Sequence, residues 1–227
     1  MSNICTQVKG IIRENLKDIL KLRSTKKLKS DGSYVSEGDL LMESLVKSMI
    51  RQNYPDYALV SEESPEENLK AINADKVIVL DPIDGTENFI SGLKEWGVAV
   101  CVYESGKHVE SMLALPELDL YMKNGDTFQK HSSRIVGISS SLTKEELLRL
   151  DDGFEYRIIG CCVYNMYNVL TGSFCVFENP KGAKVWDILP GLNLALEHKL
   201  KVTVNNKKYD GELLRPDQTY IFRIEQK

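Results

Sequence analysis

No stretch of this 227-residue chain is basic enough to track a nucleic-acid backbone. Its 33 acidic residues outnumber its 29 lysines and arginines, for a formal charge of -4 at pH 7, so nucleic-acid polymers are not expected partners. Long apolar runs are missing as well: the longest, around Val98 to Tyr103, falls far short of a membrane span. Met1 to Glu14 holds no apolar core of signal-peptide length, so no membrane partner is expected and a cytoplasmic location is. The five cysteines form no C-x-x-C pair and have no Cys/His spacing suited to zinc, which points to reduced thiols. None of the three histidines lies in a motif, and there is no internal repeat, low-complexity tract or obvious linker. With 42% hydrophobic and 27% charged residues, the chain reads as globular and long enough for one large domain or two small halves.

What is present centres on Asp81-Pro82-Ile83-Asp84-Gly85-Thr86-Glu87-Asn88-Phe89, after the apolar run Val77 to Leu80. That run reads as a short buried strand, expected to stop at Pro82 because proline cannot continue a ladder. The strand therefore ends in carboxylates. Two Asp three positions apart, with the Ile83 carbonyl between them, form an oxygen cluster fit for a hard cation, and Gly85-Thr86 can open a helix whose free N–H groups face an anion. The plainer reading is that Asp and Gly are turn residues and helix caps.

Three further acidic stretches carry the same ambiguity. Ser36 and Asp39 have the spacing of a capping box before the apolar face Leu40 to Ile50. Glu62 and Glu63 follow the strand Tyr57 to Val60, where paired glutamates are usually solvated. Trp186-Asp187 precedes a helix from Ile188 to Glu197, and an aspartate there can be a cap. The basic run Arg23 to Lys29, at the end of an amphipathic helix that starts at Ile4, reads as a solvated helix end or loop.

The string D-P-I-D-G-T-x-N-F, with the stretch ending in Asp39, the S-E-E-S stretch at Glu62 and the W-D pair at Asp187, resembles the signature of the inositol monophosphatase superfamily. Ser36 and Gly38 stand where that family has Thr and Ala, and its glycine-rich hairpin after Gly125 is missing, since only Asp126 to Ser133 precede the strand at Arg134. The resemblance implies a layered αβαβα sandwich of the α/β class, with an α+β half over residues 1–130 and an α/β half over residues 131–227 that contributes Asp187. It implies two or three Mg2+ ions, one held by Glu62, Asp81 and the Ile83 carbonyl and another by Asp81, Asp84 and Asp187. It implies that Gly85 and Thr86 N–H groups bind phosphate, and that Thr86, paired with Asp39 or Glu62, orients and deprotonates the attacking water.

The substrate side is less distinct. Gly160-Cys161-Cys162 sits where the family lines its pocket with Gly-Ser/Thr-Ala, so Cys161 is a candidate contact; two small residues packing a core is the plainer reading. Glu178 lies near where inositol-type members place a hydroxyl-binding glutamate. The resemblance thus implies a magnesium-dependent, lithium-sensitive phosphatase and a homodimer. Its substrate would be a small phosphate ester, an inositol monophosphate or a sugar phosphate. The alternatives are a 3'(2'),5'-bisphosphate nucleotidase acting on 3'-phosphoadenosine 5'-phosphate, and a regulatory or binding protein that kept the fold without turnover.

Overall fold

The computed structural model describes residues 3–30, 32–140, 142–148, 150 and 153–226. Asp31, in the expected turn, and Arg149, in the expected helix end, lie outside the described residues. Helix α1 (Ile4–Lys21) buries Ile4, Val8, Ile12 and Ile19, one stripe at helical spacing. A ribbon of β1 (Lys26–Leu28) and β2 (Tyr34–Ser36) leads to α2 (Glu37–Asn53). The capping box forms as expected: Ser36 Oγ accepts from the Gly38 and Asp39 amides, and the Asp39 carboxylate accepts from the Ser36 amide.

Next come β3 (Ala58–Ser61), α3 (Pro65–Ala71), β4 (Lys76–Asp84), the one-turn α4 (Thr86–Ile90), and the strands β5 (Gly97–Glu104), β6 (Lys107–Leu115) and β7 (Leu120–Lys123). The five strands form one sheet in chain order, β4 parallel to β3 and antiparallel to β5. The rest of the chain builds β8 (Ile135–Ile138), α5 (Lys144–Leu147), β9 (Glu155–Ile158), α6 (Cys162–Thr171) and β10 (Val176–Ala183). It ends with α7 (Val185–Glu197), β11 (Lys201–Val204), β12 (Lys207–Lys208) and β13 (Tyr220–Glu225). Its sheet runs β12-β11-β13-β10-β8-β9, with β8, β9 and β10 mutually parallel.

Period-two alternation sorts the first sheet's side chains into two cores. Ile78, Leu80, Val98, Val100 and Val102 pack with the apolar stripes of α1 and α2. Val77, Val79, Ala99, Cys101 and Tyr103 point the other way, into a core shared with α6, α7 and the second sheet. The layers are therefore helix pair, sheet, helix pair and sheet, in the expected α/β class.

Three local expectations change. Strand β4 does not stop at Leu80 but runs through Pro82 to Asp84, because a bulge absorbs the residue that cannot donate. Helix α7 begins at Val185, so Asp187 sits in its first turn, not before it. Part of the basic run is the strand β1, and two of its members are engaged: Arg23 pairs with Glu117 and lies over the Phe89 ring, and Lys29 pairs with Glu62 and Glu63.

Gly97 sits where the two cores meet. A Cβ there would stand 2.4 Å from Val163 Cγ1 on α6 and 2.8 Å from the Ala114 carbonyl on β6. Gly97→Ala is therefore expected to destabilise the protein by about 2 kcal/mol or more through overpacking, read as a lower midpoint in urea at unchanged slope.

Candidate metal centre

In a regular strand, residues three apart point to opposite faces. The β4 bulge cancels that: Asp81 pairs with Ala99 and Asp84 with Gly97, so Pro82 and Ile83 together face Val98 alone. Both carboxylates consequently line one cavity of about 310 Å³. The parallel register Ser61↔Leu80 sets Glu62 beside Asp81. Asp187 arrives from the first turn of α7, where its Oδ2 accepts from the Lys184 amide at 2.8 Å.

Glu62, Asp81 and Asp187 each present an oxygen within 4.8 Å of the others. Both Asp81 oxygens are buried and, among the described residues, have no hydrogen-bond partner. Burial first, then the neighbouring charges of Glu62, Asp84 and Asp187, push the Asp81 carboxyl well above the usual carboxylate range. Burial and the charges of Glu62 and Asp84 likewise push Asp187 up to about 8. Asp84 is raised to about 6 by burial, against the opposing pull of bonds from Cys161 and Val163. Orphaned, hard, like-charged oxygens converging on one point are the donor set of a divalent cation such as magnesium, so the residues fit the metal that the sequence implies.

Around this cluster each expected participant has an observable position. The Thr86 hydroxyl lies 3.1 Å from Asp39 Oδ1 and 3.1 Å from the Ile83 carbonyl, which makes Asp39, not Glu62, its acidic partner. Asp39 is thus both the capping partner of Ser36 and the acceptor of the Thr86 hydroxyl. Gly85 precedes α4 in the left-handed region (φ +80), and a Cβ there would approach Cys161 Cβ to 3.0 Å, so this position favours glycine. The Cys161 thiol donates to Asp84 Oδ2 at 2.9 Å while accepting from the Tyr164 amide, which ties α6 to the metal cluster. Lys29 Nζ holds Glu62 Oε1 at 2.9 Å and Glu63 Oε1 at 2.7 Å.

Glu178 is the exception. Its carboxylate is paired with Arg223 across β10 and β13, and it does not line the cavity. The adjacent residue Asn179 does, because neighbours on a strand face opposite sides. Sequence reasoning also missed Ser139, Ser140 and Asn165, all on the cavity wall. Asn165 lies within α6 at a position that periodicity assigns to core, so only its polarity signalled anything.

Fold and acidic cluster together define a layered α/β protein whose buried acids fit a divalent cation. The chain belongs to the inositol monophosphatase family, which matches residues 2–132. It is 37% identical over 181 residues to the uncharacterized protein y4fL of Sinorhizobium fredii, across 72% of this chain and 64% of that protein. It is 30% identical over 180 residues to the chloroplastic bifunctional phosphatase IMPL2 of Arabidopsis thaliana, across 71% and 51%. The match thus spans less than two thirds of either relative's length. In fold it resembles the structure of an IMPase/NADP phosphatase complexed with Mg2+ and phosphate, with a TM-score of 0.80 over 98% of this chain and 92% of that one, at 21% identity.

The raised carboxyls set the sign of a pH effect on the metal-free protein. Unfolded, these groups titrate near 3.9; folded, Asp84 and Asp187 titrate near 6 and 8. Between those values the folded state binds more protons than the unfolded one, so stability is expected to fall as pH rises through this window. Chelator-treated protein should melt lower at about pH 8.5 than at about pH 5, and added magnesium should raise the melting temperature more at the higher pH. A melting temperature indifferent to magnesium at both values would rule out the cluster as a cation site.

Proposed function

We propose that this chain is a magnesium-dependent phosphomonoesterase acting on a small phosphate ester, an inositol monophosphate or a sugar phosphate. The observation that carries the reading is Asp81, a buried carboxylate with both oxygens unpartnered at the centre of three other acids. Such a group is costly to bury unless a cation is to be held there. Glu62, Asp81, Asp84, Asp187 and the Ile83 carbonyl would hold two or three magnesium ions, which would supply charge neutralisation of the phosphoryl group and acidify the attacking water.

The chain's own groups do the rest. Thr86 donates its proton to Asp39 and so keeps a lone pair for the water, with Asp39 as the eventual proton acceptor. Backbone N–H groups of Gly85 and Thr86 orient the phosphate oxygens. Cys161 and the Val163 amide fix one oxygen of Asp84, which leaves the other for the metal. The phosphatase descriptions of IMPL2 and of the IMPase/NADP phosphatase support this reaction class.

Phosphate release in magnesium and its loss in excess chelator is the direct test, and equal turnover in chelator would sink the reading. Asp81→Asn removes charge from the shared ligand, so turnover at saturating magnesium should fall by roughly two to three powers of ten, or about 3 to 4 kcal/mol. The same substitution relieves repulsion in the metal-free protein, whose melting temperature should hold or rise. Near-normal turnover of Asp81→Asn would make Asp81 a structural residue.

A further inference from the structure

The wall of the cavity away from the acids carries polar groups that have no partner among the described residues. Asn165 is 1% exposed, and its carboxamide oxygen has no hydrogen-bond partner among the described residues. Its backbone amide is fully used, donating to the Cys161 carbonyl within α6, so the orphan is the side chain alone. Ser139 Oγ is likewise buried without a partner and lines the same cavity. Gly137 on β8 leaves the carboxamide its room: a Cβ there would stand 3.3 Å from Asn165 Oδ1 and 2.8 Å from the Phe174 ring.

Buried polar groups are nearly always paired, and an orphan on the wall of a functional cavity marks a place where a ligand group completes it. A carboxamide offers a donor and an acceptor, and a hydroxyl offers both in return, so an alcohol function satisfies this wall without leaving charge uncompensated. Charge decides what else enters. No Lys, Arg or His is among the described residues lining the cavity. A second phosphate on the alcohol would therefore meet neutral amides, hydroxyls and thiols on this wall.

We propose that Asn165, with Ser139, forms the floor of the leaving-group subsite and reads a hydroxyl of the departing alcohol, and that the subsite excludes alcohols bearing a second phosphate. This rests on the phosphomonoesterase reading above. It assigns specificity to an asparagine in the first turns of α6 and not to Glu178, which is engaged with Arg223.

The test compares kcat/KM in saturating magnesium for three esters: myo-inositol 1-phosphate, phenyl phosphate, which has no hydroxyl to read, and fructose 1,6-bisphosphate. Asn165→Leu keeps the branched shape and removes the hydrogen bond, and should lower kcat/KM for inositol 1-phosphate about tenfold more than for phenyl phosphate. Ser139→Ala should shift the same ratio in the same direction, and serves if Asn165→Leu does not fold. Ser140→Lys, at an exposed position on the rim, should raise use of the bisphosphate relative to inositol 1-phosphate. Equal losses on both monoesters, with a lowered melting temperature, would make Asn165 a structural residue and overturn the proposal. So would a parent protein that hydrolyses the bisphosphate as well as the monoester. Turnover of phenyl phosphate without preference for inositol 1-phosphate overturns this inference alone, whereas inertness toward all three esters overturns the phosphomonoesterase reading beneath it.

Discussion

The structure depends on one electrostatic conflict: a carboxylate, Asp81, buried with no donor to satisfy it and flanked by three more acids. Elsewhere in the protein buried acids are compensated. Glu117 has Arg23 and the Trp96 indole N–H, and Glu43 has Lys47 and Ser64. Among the described residues, only the Asp81 carboxylate at the end of β4 is buried with both oxygens unpaired. A group left in that state costs several kcal/mol in the absence of a cation, so the surrounding fold has to be stable enough to carry the strain. The two cores on either face of the first sheet, with β4 and β5 buried on both sides, supply that surplus.

Geometry explains how the strain is held in place. Proline within β4 forces the bulge, and the bulge turns Asp81 and Asp84 to one side. The site is next fixed from three further elements: Glu62 by parallel pairing of β3, Asp39 by the cap of α2, and Asp187 by the first turn of α7. Among the described residues Lys29 is the only cationic side chain hydrogen-bonded to a member of the cluster, and it takes Glu62 and Glu63 together. Burial alone would lower its pKa, but those two carboxylates raise it, so Lys29 stays charged and orients Glu62 without neutralising Asp81.

Much of this was legible in the sequence because the chemistry is local. Asp81, Asp84, Gly85 and Thr86 are contiguous, and the S-x-x-D and W-D patterns mark helix starts whatever else they do. What escaped was long-range. Lys29 meets a glutamate 33 positions away, and nothing in a basic run says which of its members turns inward. The placing of Glu178 turned on parity: strand neighbours face opposite sides, and one residue's difference exchanges a carboxylate bound to Arg223 for an amide on the cavity wall. Asn165 escaped because a polar residue on a buried helix face looks like a tolerated core position until the structure shows that its carboxamide oxygen has no partner among the described residues.

The cluster also lies across the joint between the two halves of the chain. Glu62 and Asp81 belong to strands of the first sheet, and Asp187 belongs to a helix packed between the sheets. Repulsion among them therefore acts between the halves as well as within the site, opposed by the shared core and by the Cys161 bond that ties α6 to Asp84. Whatever neutralises these acids removes a force that pushes the halves apart and adds one that draws them together. Ligation and packing are in consequence linked through the same atoms: a cation that binds the folded cluster and not the unfolded chain stabilises the interface by its own binding free energy. Asn165 also sits on α6, the helix joined to Asp84, so the wall expected to read the alcohol is tied directly to the acids expected to hold the metal.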